Sequence, residues 1–173
     1  MVSASSASNK GIVSIFQELL QRLLDSCQEF YGSRLITVAI FGSAGREVPR
    51  ADSDIDVFII AASLPDGRIR RVEEFQGVEE KLKPALLGAR SRGVYTYLSP
   101  FFKTSDEVLR GSPLFLDMLD DGKILYDRGG FFTAELEKLR ERLAKLKARR
   151  IWKGNAWYWG LKPDFQPGEV FEI

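Results

Sequence analysis

Ile36-Thr37-Val38-Ala39-Ile40-Phe41-Gly42-Ser43, ten further residues, then Asp54-Ile55-Asp56-Val57-Phe58-Ile59-Ile60 is the stretch on which the reading turns. Two apolar, β-branched runs flank a small-residue turn and a polar loop, so the segment predicts strand, turn, loop, strand. Side chains alternate faces along a strand. Asp54 and Asp56 therefore point one way, while Ile55 and Val57 point into the core. Two carboxylates about 6–7 Å apart along a strand repel each other unless a cation sits between them. A Gly-Ser turn of phosphate size beside that pair suggests a nucleotide held through a divalent metal.

Composition narrows the chemistry. The chain has 173 residues, 45% hydrophobic and 28% charged, which suits one domain with a real core. A net charge of +1 argues against bulk electrostatic attachment to nucleic acid. Histidine is absent, which removes Ser-His and Cys-His nucleophiles and His-ligated metals and leaves carboxylates and oxygen-loving cations. The single cysteine, Cys27, excludes an internal disulfide and falls at a helical core position. No apolar run approaches the roughly 20 residues of a membrane span. The polar N-terminus lacks the pattern of a signal peptide, so a cytoplasmic protein is expected.

Around the central stretch, apolar residues from Ile12 to Phe30 recur at helical spacing and predict a helix over 11–31, ended by Gly32. Strands are expected at 35–41 and 54–60, a helix over 69–90 interrupted in propensity by Gly77 and Pro84, and a third strand over 94–98 stopped by Ser99-Pro100. Short helices near 104–110 and 113–119, a strand at 123–126 and a helix over 131–148 follow. The tail reads as a hairpin of Arg150-Ile151-Trp152 and Ala156-Trp157-Tyr158-Trp159 around Lys153-Gly154-Asn155. Alternating helices and strands imply an α/β (α+β) class, a small mixed sheet flanked by helices. The expected organisation is a disordered N-terminus over 1–10, a core over 11–130, and a C-terminal helix with a Trp-rich tail over 131–173 packed on the same domain.

Gly-Ser, ten residues and Asp-x-Asp between two strands resembles the signature of the nucleotidyltransferase superfamily that includes DNA polymerase beta. The chain is similar to its small, single-domain minimal nucleotidyltransferase branch, as found in archaea. The likeness is most specific over residues 38–60, and it extends to Pro113-Leu114-Phe115-Leu116-Asp117-Met118 and Tyr158-Trp159-Gly160-Leu161-Lys162-Pro163. It implies the nucleotidyltransferase fold and the transfer of a nucleoside monophosphate from a triphosphate to a hydroxyl acceptor. On this resemblance Gly42 and Ser43 bind the nucleotide phosphates, and Asp54 and Asp56 are catalytic and hold Mg²⁺ or Mn²⁺. Arg46 and Arg50 flank the turn, and Arg46 is the better candidate for a phosphate contact because a guanidinium matches two oxygens at once. Asp52 shares the parity of the two acids but reads as a loop-end cap.

Active members of that superfamily place a third carboxylate on the strand after the next helix. Residues 94–98 carry none, and Asp106 and Glu107 just beyond read more simply as acids at a helix start. Nucleotide binding is thus better supported than turnover, and a catalytically weak nucleotide-binding module stands as one alternative. Another is an antitoxin-like protein acting with a helical HEPN partner, as minimal nucleotidyltransferases often do. The basic run from Lys138 to Lys153 and the tryptophans behind it could meet nucleic acid, but a solvated helix face and a packed hairpin is the favoured reading. The aromatic tail also admits a homodimer.

Overall fold

The computed structural model describes residues 9–154, 156–166 and 169–170. Of the disordered start expected over 1–10, residues 1–8 lie outside that range, as do the turn residue Asn155 and the side chain of Trp157, while Asn9 and Lys10 already belong to the first helix. The chain divides into two compact units, one ending at Phe131 and one beginning at Phe132.

The first unit is built on a sheet of four strands in the order β3-β2-β1-β4. These are β1 (Leu35–Phe41), β2 (Ile55–Ala61), β3 (Leu98–Lys103) and β4 (Lys123–Asp127). The central β1 pairs antiparallel with β2 and β4, and β2 pairs in parallel with β3. Parallel pairing needs a crossover, which the helix α3 (Arg68–Ser91) supplies. α1 (Asn9–Tyr31) packs against α3 and β1. Together they cover one sheet face with Phe16, Leu19, Leu23 and Cys27 from α1 and Phe75, Val78 and Leu82 from α3, against Val38, Ile40, Ile55, Val57 and Ile59. Burial pushes the Cys27 thiol up to about 12, as expected of a thiol used as a small hydrophobe. Every residue of β1 is buried. On the opposite face Phe58 meets Phe115 of α5 (Leu114–Asp121) edge to face, with ring centroids 5.7 Å apart.

The third strand departs from expectation. Residues 94–97 are irregular, and β3 runs from Leu98 straight through Pro100. Pro100 does not stop it because β3 lies at the sheet edge. The Ile55 amide donates to the Tyr97 carbonyl at 3.0 Å, so Tyr97, Ser99 and Phe101 turn their peptide groups inward while Pro100 turns its missing N–H outward. Pro84 is likewise accommodated inside α3, on the exposed side of the helix. Among the described residues no helix is long and apolar enough to cross a membrane.

The second unit contains α6 (the helix Phe131–Lys145, which opens at the boundary) and an antiparallel pair, β5 (Arg149–Lys153) with β6 (Ala156–Gly160). Two cations of its basic run are locally paired: Lys138 with Glu135 and Arg140 with Glu137, both at 2.6 Å. Arg150 stacks on Trp152, with its guanidinium carbon 5.1 Å from the ring centre.

Candidate active site

The end of β1 and the start of β2 meet because the two strands are antiparallel neighbours, with Phe41 opposite Asp56. Gly42 follows at φ +67°, a left-handed conformation that side chains with a Cβ disfavour. It opens a single helical turn, α2 (Gly42–Gly45). The first amides of such a turn have no intrahelical acceptor and are free for a ligand. A Cβ on Gly42 would stand 2.5 Å from Asp56 Oδ2, closer than real Cβ contacts come. The carboxylate of Asp56 is thus laid directly over the glycine backbone, and Gly42, Ser43, Asp54 and Asp56 form one corner. At the other end of the turn, a Cβ on Gly45 would collide with the Asp121 carbonyl, so α2 is seated tightly against α5.

Asp54 and Asp56 are both half-buried. Burial holds the Asp56 carboxyl above its usual range; a hydrogen bond from Ser99 opposes this and the negative charge of Asp54 adds to it. Neither acid pairs with a lysine or arginine among the described residues. The corner therefore concentrates uncompensated negative charge beside free amides, and this oxygen donor set suits a divalent cation bridging to phosphate. Yet among the described residues no three His, Cys, Asp or Glu side chains converge as a ready-made metal site. Two carboxylates are what the protein brings.

The position opposite Asp56 on β3 is occupied by Ser99. Tyr97 stands just before the strand, its carbonyl accepting the Ile55 amide at 3.0 Å. Asp54 pushes the phenol of Tyr97 upward, first as a hydrogen-bond acceptor and then by its charge. Sequence reading missed both residues. It looked for an acid on a strand set four residues too early, whereas parity counted along Leu98–Lys103 sends residues 97 and 99 to the Asp54/Asp56 side.

The other candidates lie apart from this corner. Arg46 is engaged with Asp121 at 3.1 Å and would have to leave it to reach a phosphate. Arg50 pairs with Asp52 at 3.4 Å in an exposed stretch of loop. Glu107 completes a capping box with Thr104 at the start of α4 (Ser105–Leu109) and makes a two-pronged contact with Arg71 at 2.8 and 3.0 Å. It is a structural acid. The Arg71 guanidinium chiefly holds its carboxyl down, to about 2.

The sequence profile of the nucleotidyltransferase domain matches residues 20–107, half of the chain, spanning the turn, both acids and β3. The chain belongs to the nucleotidyltransferase family, and it is an enzyme of that family. A candidate protein adenylyltransferase of Methanocaldococcus jannaschii is 27% identical to this nucleotidyltransferase over 148 residues, covering 83% of this chain and 93% of its own. Among solved structures, the spectinomycin adenyltransferase AAD(9) of Enterococcus faecialis with ATP and spectinomycin aligns with a TM-score of 0.50 at 12% identity. The alignment covers 75% of this chain and 66% of that one and shows a shared fold. A toxin-antitoxin structure with AMP-PNP aligns more loosely, at a TM-score of 0.43 and 19% identity over 73% of this chain and 91% of that one.

Proposed function

We propose that this nucleotidyltransferase moves a nucleoside monophosphate, adenylate foremost, from a triphosphate onto a hydroxyl presented by another protein, with Mg²⁺ or Mn²⁺ held by Asp54 and Asp56. The observation that carries this reading is the placement of the Asp56 carboxylate against the Gly42 backbone. One corner thereby offers amides for phosphate and acids for a cation. The adenylate and protein-acceptor parts draw support from the archaeal relative, whose resemblance covers nearly its whole length.

The roles follow from the residue types. Gly42 admits a phosphate to the backbone, and Ser43 offers a hydroxyl and an amide to it. A bound divalent cation would neutralise charge gathering on the phosphorus in the transition state. Asp54 and Asp56 would hold that cation, with Ser99 opposite Asp56 on the neighbouring strand. Arg46, released from Asp121, would be available to the phosphate tail.

Hydroxyls standing where a third acid is expected favour a second reading, in which nucleotide binding is firm and turnover slow. The two readings separate in one experiment: labelled ATP, Mg²⁺ and candidate acceptors, a helical HEPN-type protein among them, with calorimetry alongside. Label appearing on an added acceptor supports transfer. Tight metal-dependent binding without pyrophosphate release supports the second reading. Wild-type protein no more active than Asp54→Asn or Asp56→Asn removes the first, and absence of any binding removes both.

A further inference from the structure

The parallel pairing of β2 with β3 brings the carboxyl ends of both strands to one end of the sheet, opposite to the end that holds Asp54. The chain leaves β2 there and enters α3 at Arg68, so the start of α3 stands beside the end of β3. Between them opens a cavity of about 460 Å³. Small-molecule sites run from about 300 to 1,000 Å³. Parallel βαβ units commonly bind ligands at this end of their strands. The floor of the cavity is apolar, lined by Phe58, Pro100, Phe101 and Leu114.

Its mouth is cationic. Arg68, Arg71 and Lys103 line it with a single acid, Glu107. Arg71 already holds Glu107 in the two-pronged contact and turns its Nε to the Pro65 carbonyl at 2.8 Å, so that pair is a fixed wall. The charge of Lys103 also reaches Glu107, but neither Lys103 nor Arg68 forms an ion pair among the described residues. Asp66, in the exposed loop before Gly67, does not line the cavity. The start of α3 adds to the field: Gly67 offers no capping side chain and the first turn carries no acid. Its first amides are therefore left to whatever anion arrives.

We propose that this cavity is a second ligand site, taking a small molecule built of a flat aromatic ring and one phosphate or carboxylate. The ring covers the floor at Phe101 and Leu114, and Arg68 and Lys103 hold the anion at the mouth. A guanidinium matches two oxygens of either group. Lys103 lies four residues beyond Ser99, about 13 Å along the strand, so this site is separate from the acid pair. It stands whether or not the corner binds a nucleotide.

The test titrates the full chain with phenyl phosphate, benzoate and inorganic phosphate by calorimetry, in EDTA so that the corner holds no divalent cation. The expected result is one molecule of phenyl phosphate or benzoate per chain, the tighter of the two naming the anion. Inorganic phosphate should bind about tenfold more weakly or worse, because it leaves the apolar floor uncovered. Arg68→Gln and Lys103→Gln together should weaken binding about tenfold or more, and each alone by less, with thermal melts showing that the variants fold. Asp54→Asn should leave it unchanged. Failure of both ring compounds to bind overturns the proposal. So does inorganic phosphate binding as tightly as they do, which reports a cationic surface only. Binding that survives the double variant overturns it too, as does binding lost in Asp54→Asn, which places the ligand at the corner.

Discussion

Replacing Asp56 with Asn should make the metal-free protein more stable while abolishing its response to divalent cations. Asp54 and Asp56 are two residues apart, so their carboxylates lie about 6.6 Å apart along the strand direction. Two unit charges at that spacing repel by about 0.6 kcal/mol in a water-like medium and about 2.5 kcal/mol at the effective dielectric of a protein surface. Both groups are half-buried, and ordinary salt screens part of the interaction, so a gain of about 1 kcal/mol is expected. Asn keeps an oxygen that can accept from Ser99, the residue opposite on the neighbouring strand. For a chain of this size the gain corresponds to about 2–4 °C in Tm. The pH dependence follows from the raised Asp56 carboxyl. Its protonated form favours the folded chain, fully so below the unfolded value of 3.8, and that contribution is lost as pH rises through the higher folded value. The variant's advantage is therefore largest near neutrality and shrinks as the medium is acidified. Thermal melts in EDTA across that range measure it, and repeats in Mg²⁺ with ATP should reverse the order, because only the wild type gains from binding. A variant less stable than wild type in EDTA at neutral pH would refute the reasoning, because the acids would then not be in repulsive contact.

Gly42→Ala should cost about 1–2 kcal/mol for the left-handed backbone alone. It should also lose nucleotide binding, since the new methyl displaces Asp56; melts and calorimetry read the two effects separately. Glu107→Ala removes one half of the capping box and the Arg71 pair at once and should lower stability by about 1–3 kcal/mol by denaturant titration. Because Arg71 depresses its carboxyl to about 2, this contribution is full above the ordinary value of 4.5 and disappears as pH falls through 2, so wild type and variant should converge in acid. Gly77→Ala drives a methyl into the Phe30 ring and should destabilise by about 1–3 kcal/mol without changing nucleotide affinity.

The central motif was legible because every part of it is local. Glycine at the turn, acids at matching parity and apolar runs on both sides state their geometry within 25 residues, and the β1–β2 ladder bears it out. The helix α1 was legible for the same reason, its apolar period unbroken from Ile12 to Phe30. What failed was non-local. Pro100 stops a central strand but not an edge strand, and nothing within residues 94–103 announces that β3 is an edge. The start of β3 therefore moved from residue 94 to Leu98, and with it the identity of the side chains facing Asp56. The engagement of Arg46 by Asp121, 75 residues away, was equally out of reach.

The two kinds of outcome share a cause. The corner is fixed by the antiparallel register of β1 and β2, whose adjacent ends hold Gly42 and Asp56 whatever the intervening loop does. Beyond the turn α2 the charges of the loop are paired: Arg46 with Asp121, Glu47 with Lys123 at 2.5 Å, and Arg50 with Asp52. That leaves the two acids uncompensated. A corner that gathers negative charge and pairs its loop cations away from it is unfavourable for an empty protein. On the proposed function, a cation arriving from outside with a polyphosphate to share it would relieve that cost. Ser99 and Tyr97 fit the same logic. A third acid there would deepen the repulsion, whereas hydroxyl-bearing residues add no charge.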